Sequence, residues 1–297
     1  MVQFSFFFLL FFSFLFSTPV RSQMDMDNNA GPASQNGGAS APKKKLYFVV
    51  GEYPPYASAF QKSQGISIYL VKEAFKKAGQ EIEVDFLPWS LSLIEAKKGK
   101  TFHGSLLWSK TKKREEEFLF SDVVLEQIVV FFHRKKEDFN WKKFKDLKGK
   151  TIGTTMGYSY GPKMDLIIKK GLLKTVPTAE IISNLRRLIK GSIDLFPVEP
   201  TIAKYYLKKI GEKDPISANL LAFHKKPVHY YKLHLILNKT KEGNKEIIET
   251  FNKGLKSLKE LLGNHTVTRP CLSLAKGVVA KNEEAERHLK YIKELCP

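Results

Sequence analysis

Apolar and polar positions fall into blocks from Leu46 onward, and the blocks change period. "LYFVVG" (46–51) is an unbroken apolar run closed by Gly51, as in a buried strand. "ISIYLVKEAFKKAG" (66–79) sets Ile68, Val71 and Phe75 at helical spacing and stops at Gly79. "IEVDF" (82–86) alternates as a strand does, and "SLSLIEAKKG" (90–99) reads as a short helix with Ser90 at its N-cap and Gly99 as its stop. "IVVFF" (128–132) is a β-rich run long enough to leave one sheet and enter another. The theme then restarts. "DLKGKTIGTTMG" (146–157) gives turn, strand and Gly-punctuated loop, followed by a helix near 160–170, a strand near 173–176 and a helix over 180–190 closed by Gly191. "SIDLF" (192–196) reads as a strand, "PTIAKYYLKKIG" (200–211) as a helix opened by Pro200, "LHLILNK" (233–239) as a strand, and 244–260 as a long helix.

Strand–helix alternation of this kind predicts α/β architecture, with parallel sheets and right-handed crossovers. Two such units, the second inserted in the first, give two lobes joined by two strands. The first lobe spans 45–130 and returns over 226–262, and the second spans 131–225. Residues 263–297 form a C-terminal helical extension, in which "NEEAERHLKYIKEL" (282–295) reads as a helix capped by Asn282 with acids in its first turn.

The N-terminus sets the compartment. "FSFFFLLFFSFLF" (4–16) has the length of a secretory apolar core and is short for a membrane span, so 1–22 is expected to be a signal peptide cleaved after Ser22. No Lys or Arg precedes the apolar run, and an uncleaved anchor is the alternative. No cysteine stands at the cleavage site to carry a lipid. Residues 23–44 are mostly small and polar, the composition of a disordered linker. The expected location is therefore periplasmic or secreted. There the two cysteines, Cys271 and Cys296, most simply form a disulfide, with two free thiols as the alternative.

The formal net charge of +19 admits nucleic-acid or membrane partners, but the lysines are spread along the chain without a nucleic-acid module. They read as a solvated surface on a monomer that binds no nucleic acid. His224, His229 and His234 recur every five residues, which matches neither helix nor strand facing, so neither a metal site nor a cofactor is expected.

Ligands in such folds bind beyond strand ends and between lobes. Tyr53 and Tyr56 follow the first strand in "GEYPPYAS", and Trp89 follows the next in "LPWS". "LLWSKTKKR" presents Trp108, Ser109, Thr111 and Arg114, and the second unit adds "TTMGYSYG" and "FPVEP" with Glu199. Arginine is scarce in this lysine-rich chain, and its planar fork grips a carboxylate in a way lysine cannot. One Arg, one carboxylate, hydroxyls and rings suit a small zwitterion. Each also has an ordinary structural role open to it: Arg114 on a surface helix, Trp89 and Trp108 in packing, Glu199 at a helix start. Asp194 reads as structural.

At these residues the chain resembles the bacterial family-3 extracellular solute-binding proteins, the amino-acid-binding components of ABC importers. The resemblance runs from about Leu46 to Glu260 through "YPPY", "TKKREEEFLFSD", "FKDLKGKTIGTTMG" and "GSIDLFPVEPTIAKYYL", in the family's order. It implies a type II periplasmic-binding-protein fold and a membrane permease as partner. It also implies roles for single residues: Arg114 and Ser109 on the ligand carboxylate, Ser159 donating to the same group, Tyr53 and Trp89 flanking the side chain, and Glu199 on the amino group. Two departures bear on the ligand. Leu106, Leu107 and Trp108 stand where the family has small polar residues, and Glu199 stands for its Asp. The expected ligand has one carboxylate and an apolar or aromatic remainder, with a cationic one ranked next, rather than glutamate or aspartate. A dehydratase-like enzyme on the same scaffold, using Glu199 or His103, and a sensory module without a transporter are the competing functions.

Overall fold

The computed structural model describes residues 44–156 and 158–297; the expected signal peptide and, apart from Lys44, the linker lie outside the described residues. The first unit runs β1 (Leu46–Val50), α1 (Ile66–Lys77), β2 (Ile82–Phe86), α2 (Trp89–Lys98), β3 (Gly104–Ser109) and a short α3 (Lys112–Glu117). β4 (Phe118–Arg134) then leads to β5 (Thr151–Thr155), α4 (Pro162–Lys169), β6 (Lys174–Thr178), α5 (Ile181–Lys190), β7 (Phe196–Val198), α6 (Pro200–Gly211) and α7 (Pro215–Ala218). β8 (Leu221–Asn238) returns the chain to α8 (Asn244–Leu262), and α9 (Asn264–Thr268), α10 (Pro270–Leu274) and α11 (Glu283–Leu295) complete it.

The larger sheet has the order β2-β1-β3-β8-β4-β7. β1 is parallel to β2 and β3, as the crossovers α1 and α2 require, whereas β8 runs antiparallel to both β3 and β4. Phe48 of β1, Phe75 of α1 and Phe251 of α8 stack through the first lobe's core, with ring centroids 5.4 Å and 4.8 Å apart. The two helices approach backbone to side: a Cβ on Gly254 would lie 1.8 Å from the Ala74 carbonyl oxygen, so only glycine fits there.

β4 and β8 pair along nearly their whole length, from Phe118 opposite Asn238 to Arg134 opposite Leu221. One half of the ladder lies in the first lobe. The other half meets β7, with Val130 opposite Val198 and Phe132 opposite Phe196, and belongs to the second lobe. The parallel pair β5–β6 joins through a bridge from Ile152 to Leu195. Arg134, buried at the end of β4, donates to the carbonyls of Leu188 and Ile193 and pairs with Asp194, whose carboxylate accepts from Thr151 N. Asp194 is structural, as its sequence context indicates.

Four local expectations are corrected. β4 starts at Phe118 rather than 128, because Phe118, Leu119 and Phe120 of "FLFSD" find partners in β8. β8 starts at Leu221 rather than 233; its first half carries Lys225, Lys226, Pro227 and His229 on a largely open ribbon, so it lacks strand alternation. "SIDLF" is mostly turn, since Asp194 is held by Arg134 and Thr151, and the ladder begins only at Phe196. α2 begins at Trp89 after Pro88, not at a Ser90 cap.

The tail is clipped to the first lobe. α11 buries Ala285, Leu289 and Ile292, and Asn282 caps it by accepting from Ala285 N at 2.9 Å. Tyr291 stacks against Tyr69 of α1 at 4.7 Å, and the Tyr69 phenol meets His288 Nδ1 at 2.6 Å. Cys271 and Cys296 are bridged, closing a 25-residue separation. Closing a loop of that size is worth about 3–4 kcal/mol in chain-entropy terms. The double substitution Cys271→Ser/Cys296→Ser is expected to speed amide exchange throughout α11 while β1 and α1 keep their protection. Equal protection of α11 in both proteins would show that its packing alone holds it.

Candidate functional site

Between the lobes lies a cavity of about 490 Å³, a size typical of small-molecule sites. Every side chain assigned to the ligand from sequence lines it: Tyr53, Trp89, Trp108, Ser109 and Arg114 from the first lobe, and Ser159 and Glu199 from the second. Arg114 and Glu199 are its only charged lining residues among those described.

The arginine is set by the end of β3. The β3–β8 register shifts between Ser105 and Trp108, and Leu107 takes a left-handed φ of 64° within that bulge. A non-glycine residue held there carries local strain. The bulge re-aims Trp108, whose Nε1 donates to Ser105 Oγ at 2.7 Å within a small cluster that includes Ala96, Phe118 and Ile236. The Arg114 guanidinium lies over the Trp108 ring, 4.6 Å from its centroid. Its Nη1 donates to the Ser109 carbonyl at 2.9 Å and to Ser109 Oγ at 3.0 Å. Thr111 fixes the turn, accepting from Arg114 N at 3.2 Å. Trp108 thus serves as a platform under the guanidinium. Among the described residues no carboxylate pairs with Arg114, although it is half-buried.

The aromatic wall comes from two strand ends. Tyr53 precedes the cis Pro54–Pro55 turn after β1, and Trp89 opens α2 after β2. The Trp89 ring stands edge-on to Trp108 at 5.2 Å and to Tyr53 at 6.1 Å. It also lies flat against the chain: a Cβ on Gly51 would come within 2.3 Å of the indole. The Tyr53 hydroxyl donates to Gln127 Oε1 at 2.8 Å, and burial raises the phenol's pKa.

On the second lobe, Ser159 Oγ donates to Asp165, and the Tyr231 hydroxyl donates to the Ser159 carbonyl at 2.8 Å. The serine's proton is therefore already engaged. Glu199 is buried and is the N-cap of α6: Oε2 accepts from Ile202 N at 2.9 Å and Oε1 from Thr201 Oγ1 at 3.1 Å. Burial raises its pKa, and these hydrogen bonds oppose the rise. The longer glutamate arm folds back onto its own helix while still facing the cavity.

Sequence reading missed Gln127 of β4 and Tyr231 of β8, which sit opposite each other in the ladder and both line the cavity. A glutamine inside the apolar run "VVLEQIVVFF" was the available signal. His103 is absent from the lining; its Nδ1 accepts from Tyr47 N at 3.1 Å. His234 is tied to the Ser121 carbonyl, His224 to Asn140, and His229 packs over Gly161.

Two lobes that share a strand pair and face each other across a ligand-sized cavity define a solute-binding protein of the type II periplasmic kind. The chain belongs to the bacterial extracellular solute-binding proteins, family 3, whose description matches residues 47–261. It is similar to the arginine-binding extracellular protein ArtP of Bacillus subtilis (strain 168), 27% identical over 241 residues, covering 76% of this chain and 86% of that one. In solved structures it resembles a histidine kinase sensor domain with similarity to periplasmic binding proteins (TM-score 0.60, 18% identity, 80% of this chain and 99% of the other). It also resembles an ancestral arginine-binding protein bound to arginine (TM-score 0.55, 22% identity, 76% and 97%). At these identities the structural likenesses speak to fold alone. Among the described residues, no helix is long and apolar enough to cross a membrane.

Two outcomes follow from the geometry. Gly51→Ala is expected to displace Trp89, changing the near-ultraviolet circular dichroism of the indoles and costing about 1–3 kcal/mol in urea unfolding; an unchanged spectrum would mean that Trp89 does not rest on Gly51. For Glu199, a raised folded-state pKa means that the native protein holds the proton more tightly than the unfolded chain. Stability therefore falls as pH rises out of the ordinary carboxylate range through the folded-state value. Glu199→Gln removes that fall but weakens the cap equally at all pH. Its Tm relative to wild type should be more favourable at about pH 7 than at about pH 4, and a pH-independent difference would contradict the assignment.

Proposed function

We propose that the protein captures a small zwitterion, an α-amino acid or close analogue, in the interlobe cavity. Arg114 with Ser109 takes the carboxylate, Glu199 takes the amine, and Tyr53 and Trp89 flank the remainder. Trp108 holds the guanidinium flat, and Ser159 contributes at the second lobe once its bond to Asp165 is exchanged. The observation that carries this reading is the half-buried Arg114, positioned by Trp108 and Ser109 yet paired with no carboxylate among the described residues. A desolvated cation held this way favours an anion from outside.

The rest of the lining supports an uncharged remainder. Leu107, Val129, Phe196, Val198 and Ile202 line the cavity, and among the described residues no second cation stands there for a side-chain carboxylate. A cationic remainder is the second reading, favoured by the Tyr53 and Trp89 rings and by the arginine-binding name of ArtP. In the leading reading the protein is exported by residues 1–22, works as a monomer outside the cytoplasmic membrane and delivers its ligand to the permease of an ABC importer. The two lobe segments on either side of β4 and β8 close on the ligand, and the permease reads the closed form. A dehydratase role has less support, because His103 lies outside the cavity and Glu199 is engaged at a helix start.

Calorimetric titration with the common amino acids tests the proposal. One or a few with uncharged side chains are expected to bind, and Arg114→Lys should weaken the best ligand by about 2–5 kcal/mol, roughly 30- to several-thousand-fold, with the fold intact. Undiminished affinity in the variant would remove Arg114 from the site. Selective tight binding of glutamate would overturn the ligand class.

A further inference from the structure

Six side chains among those described leave a buried polar atom without a hydrogen-bond partner: Gln61, Ser67, Gln127, Trp141, Asn184 and Arg187. Of these, Gln127 alone lines the interlobe cavity. It is 4% exposed, sits on β4 where the strand passes between the lobes, and stands opposite Tyr231 in the ladder with β8. Its Oε1 accepts from the Tyr53 hydroxyl at 2.8 Å, and its Nε2 has no acceptor.

What this pair lacks is independent of how the amide is turned. The phenol brings one hydrogen and the amide two, and a single contact joins them. Reversing the amide would let Nε2 donate to the phenol oxygen and would leave the phenol hydrogen unplaced. A surplus of donors remains either way. Tyr231, opposite Gln127 in the ladder, is engaged with Ser159, and no acceptor among the described residues reaches Nε2. A buried donor without an acceptor is unfavourable in the unliganded protein, and a ligand that supplies one gains by relieving it.

We infer that Gln127, together with Tyr53, is a specificity-determining pair that requires a hydrogen-bond acceptor on the ligand. The inference rests on the amino-acid reading above, which places the carboxylate at Arg114. The acceptor is therefore an oxygen of the ligand's remainder, a hydroxyl or a carbonyl. It is uncharged, because a second anion there would meet no cation. The remainder is then an apolar or aromatic body with one polar tip. A site built to bond such an oxygen rejects the analogue that lacks it far more strongly than an apolar pocket distinguishes a methylene.

The test uses matched probes: tyrosine against phenylalanine, threonine against valine, and glutamine against methionine, titrated calorimetrically into the wild-type protein and Gln127→Met. The oxygen-bearing member of at least one pair is expected to bind wild type about tenfold or more tightly than its partner, with the ratio falling to within about twofold in the variant. A ratio that Gln127→Met leaves unchanged, or equal binding within every pair, overturns the proposal. Thermal unfolding of the ligand-free Tyr53→Phe/Gln127→Met protein gives a second readout. Removing both polar partners should leave Tm unchanged or higher if the pair is kept for a ligand, whereas a clear drop would mark it as structural and overturn the inference. Should wild type bind neither member of any pair, the amino-acid reading itself fails, and the unfolding result alone decides whether the pair awaits an acceptor.

Discussion

The pairing of β4 with β8 is the constraint on which the rest of the molecule depends. Two strands of 17 and 18 residues run antiparallel through both lobes, so each lobe's core is completed by the same two segments of chain. The ladder is not uniform. Its register shifts fall between Phe120 and Leu125 and again between Val129 and Phe132, and each adds local twist. Between these irregular stretches stand Gln127 and Tyr231, one bonded to Tyr53 of the first lobe and the other to Ser159 of the second. The shared ladder is therefore joined to both walls of the cavity through these two side chains.

The cavity holds its charges in different ways. Arg114 is desolvated, stacked on Trp108 and bonded to Ser109, and it remains a cation because a guanidinium does not deprotonate at ordinary pH. Burial pushes the Glu199 carboxyl's pKa up, and the first turn of α6, whose free N–H groups favour negative charge, opposes that rise. Leu107 adds strain at the bulge that turns Trp108. A strained backbone residue, a cation without an anion and a donor without an acceptor all lie around the same space. Stability is given up there in favour of a ligand, as binding sites commonly require.

Much of the architecture was legible in the sequence because local chemistry and tertiary role agree. Gly79 and Gly99 stop helices, Asn282 caps one, and the apolar run at Leu46 is buried apart from Tyr47. The misreadings arose where long-range partners decide. "FLFSD" becomes strand only because β8 lies beside it, and the Lys- and His-rich start of β8 becomes strand only because β4 does. "SIDLF" contains an aspartate whose partners, Arg134 and Thr151, are distant in sequence, so its alternation was misleading. In the site, Arg114 stood out by residue type against a lysine background. Trp108 was identifiable as an aromatic near the ligand, but its position beneath the guanidinium required the bulge, which no periodicity announces. Gln127 was visible only as a polar interruption in an apolar strand.

Sheet order also governs the timing of assembly. β8 lies between β3 and β4, so it is the central strand of the first lobe and a member of the second, and it is made after every other strand. Until residues 221–238 have been synthesised, β3 and β4 lack their common neighbour and neither lobe can finish its sheet. A nascent chain of this topology stays incomplete for most of its synthesis and then closes both halves with a single segment.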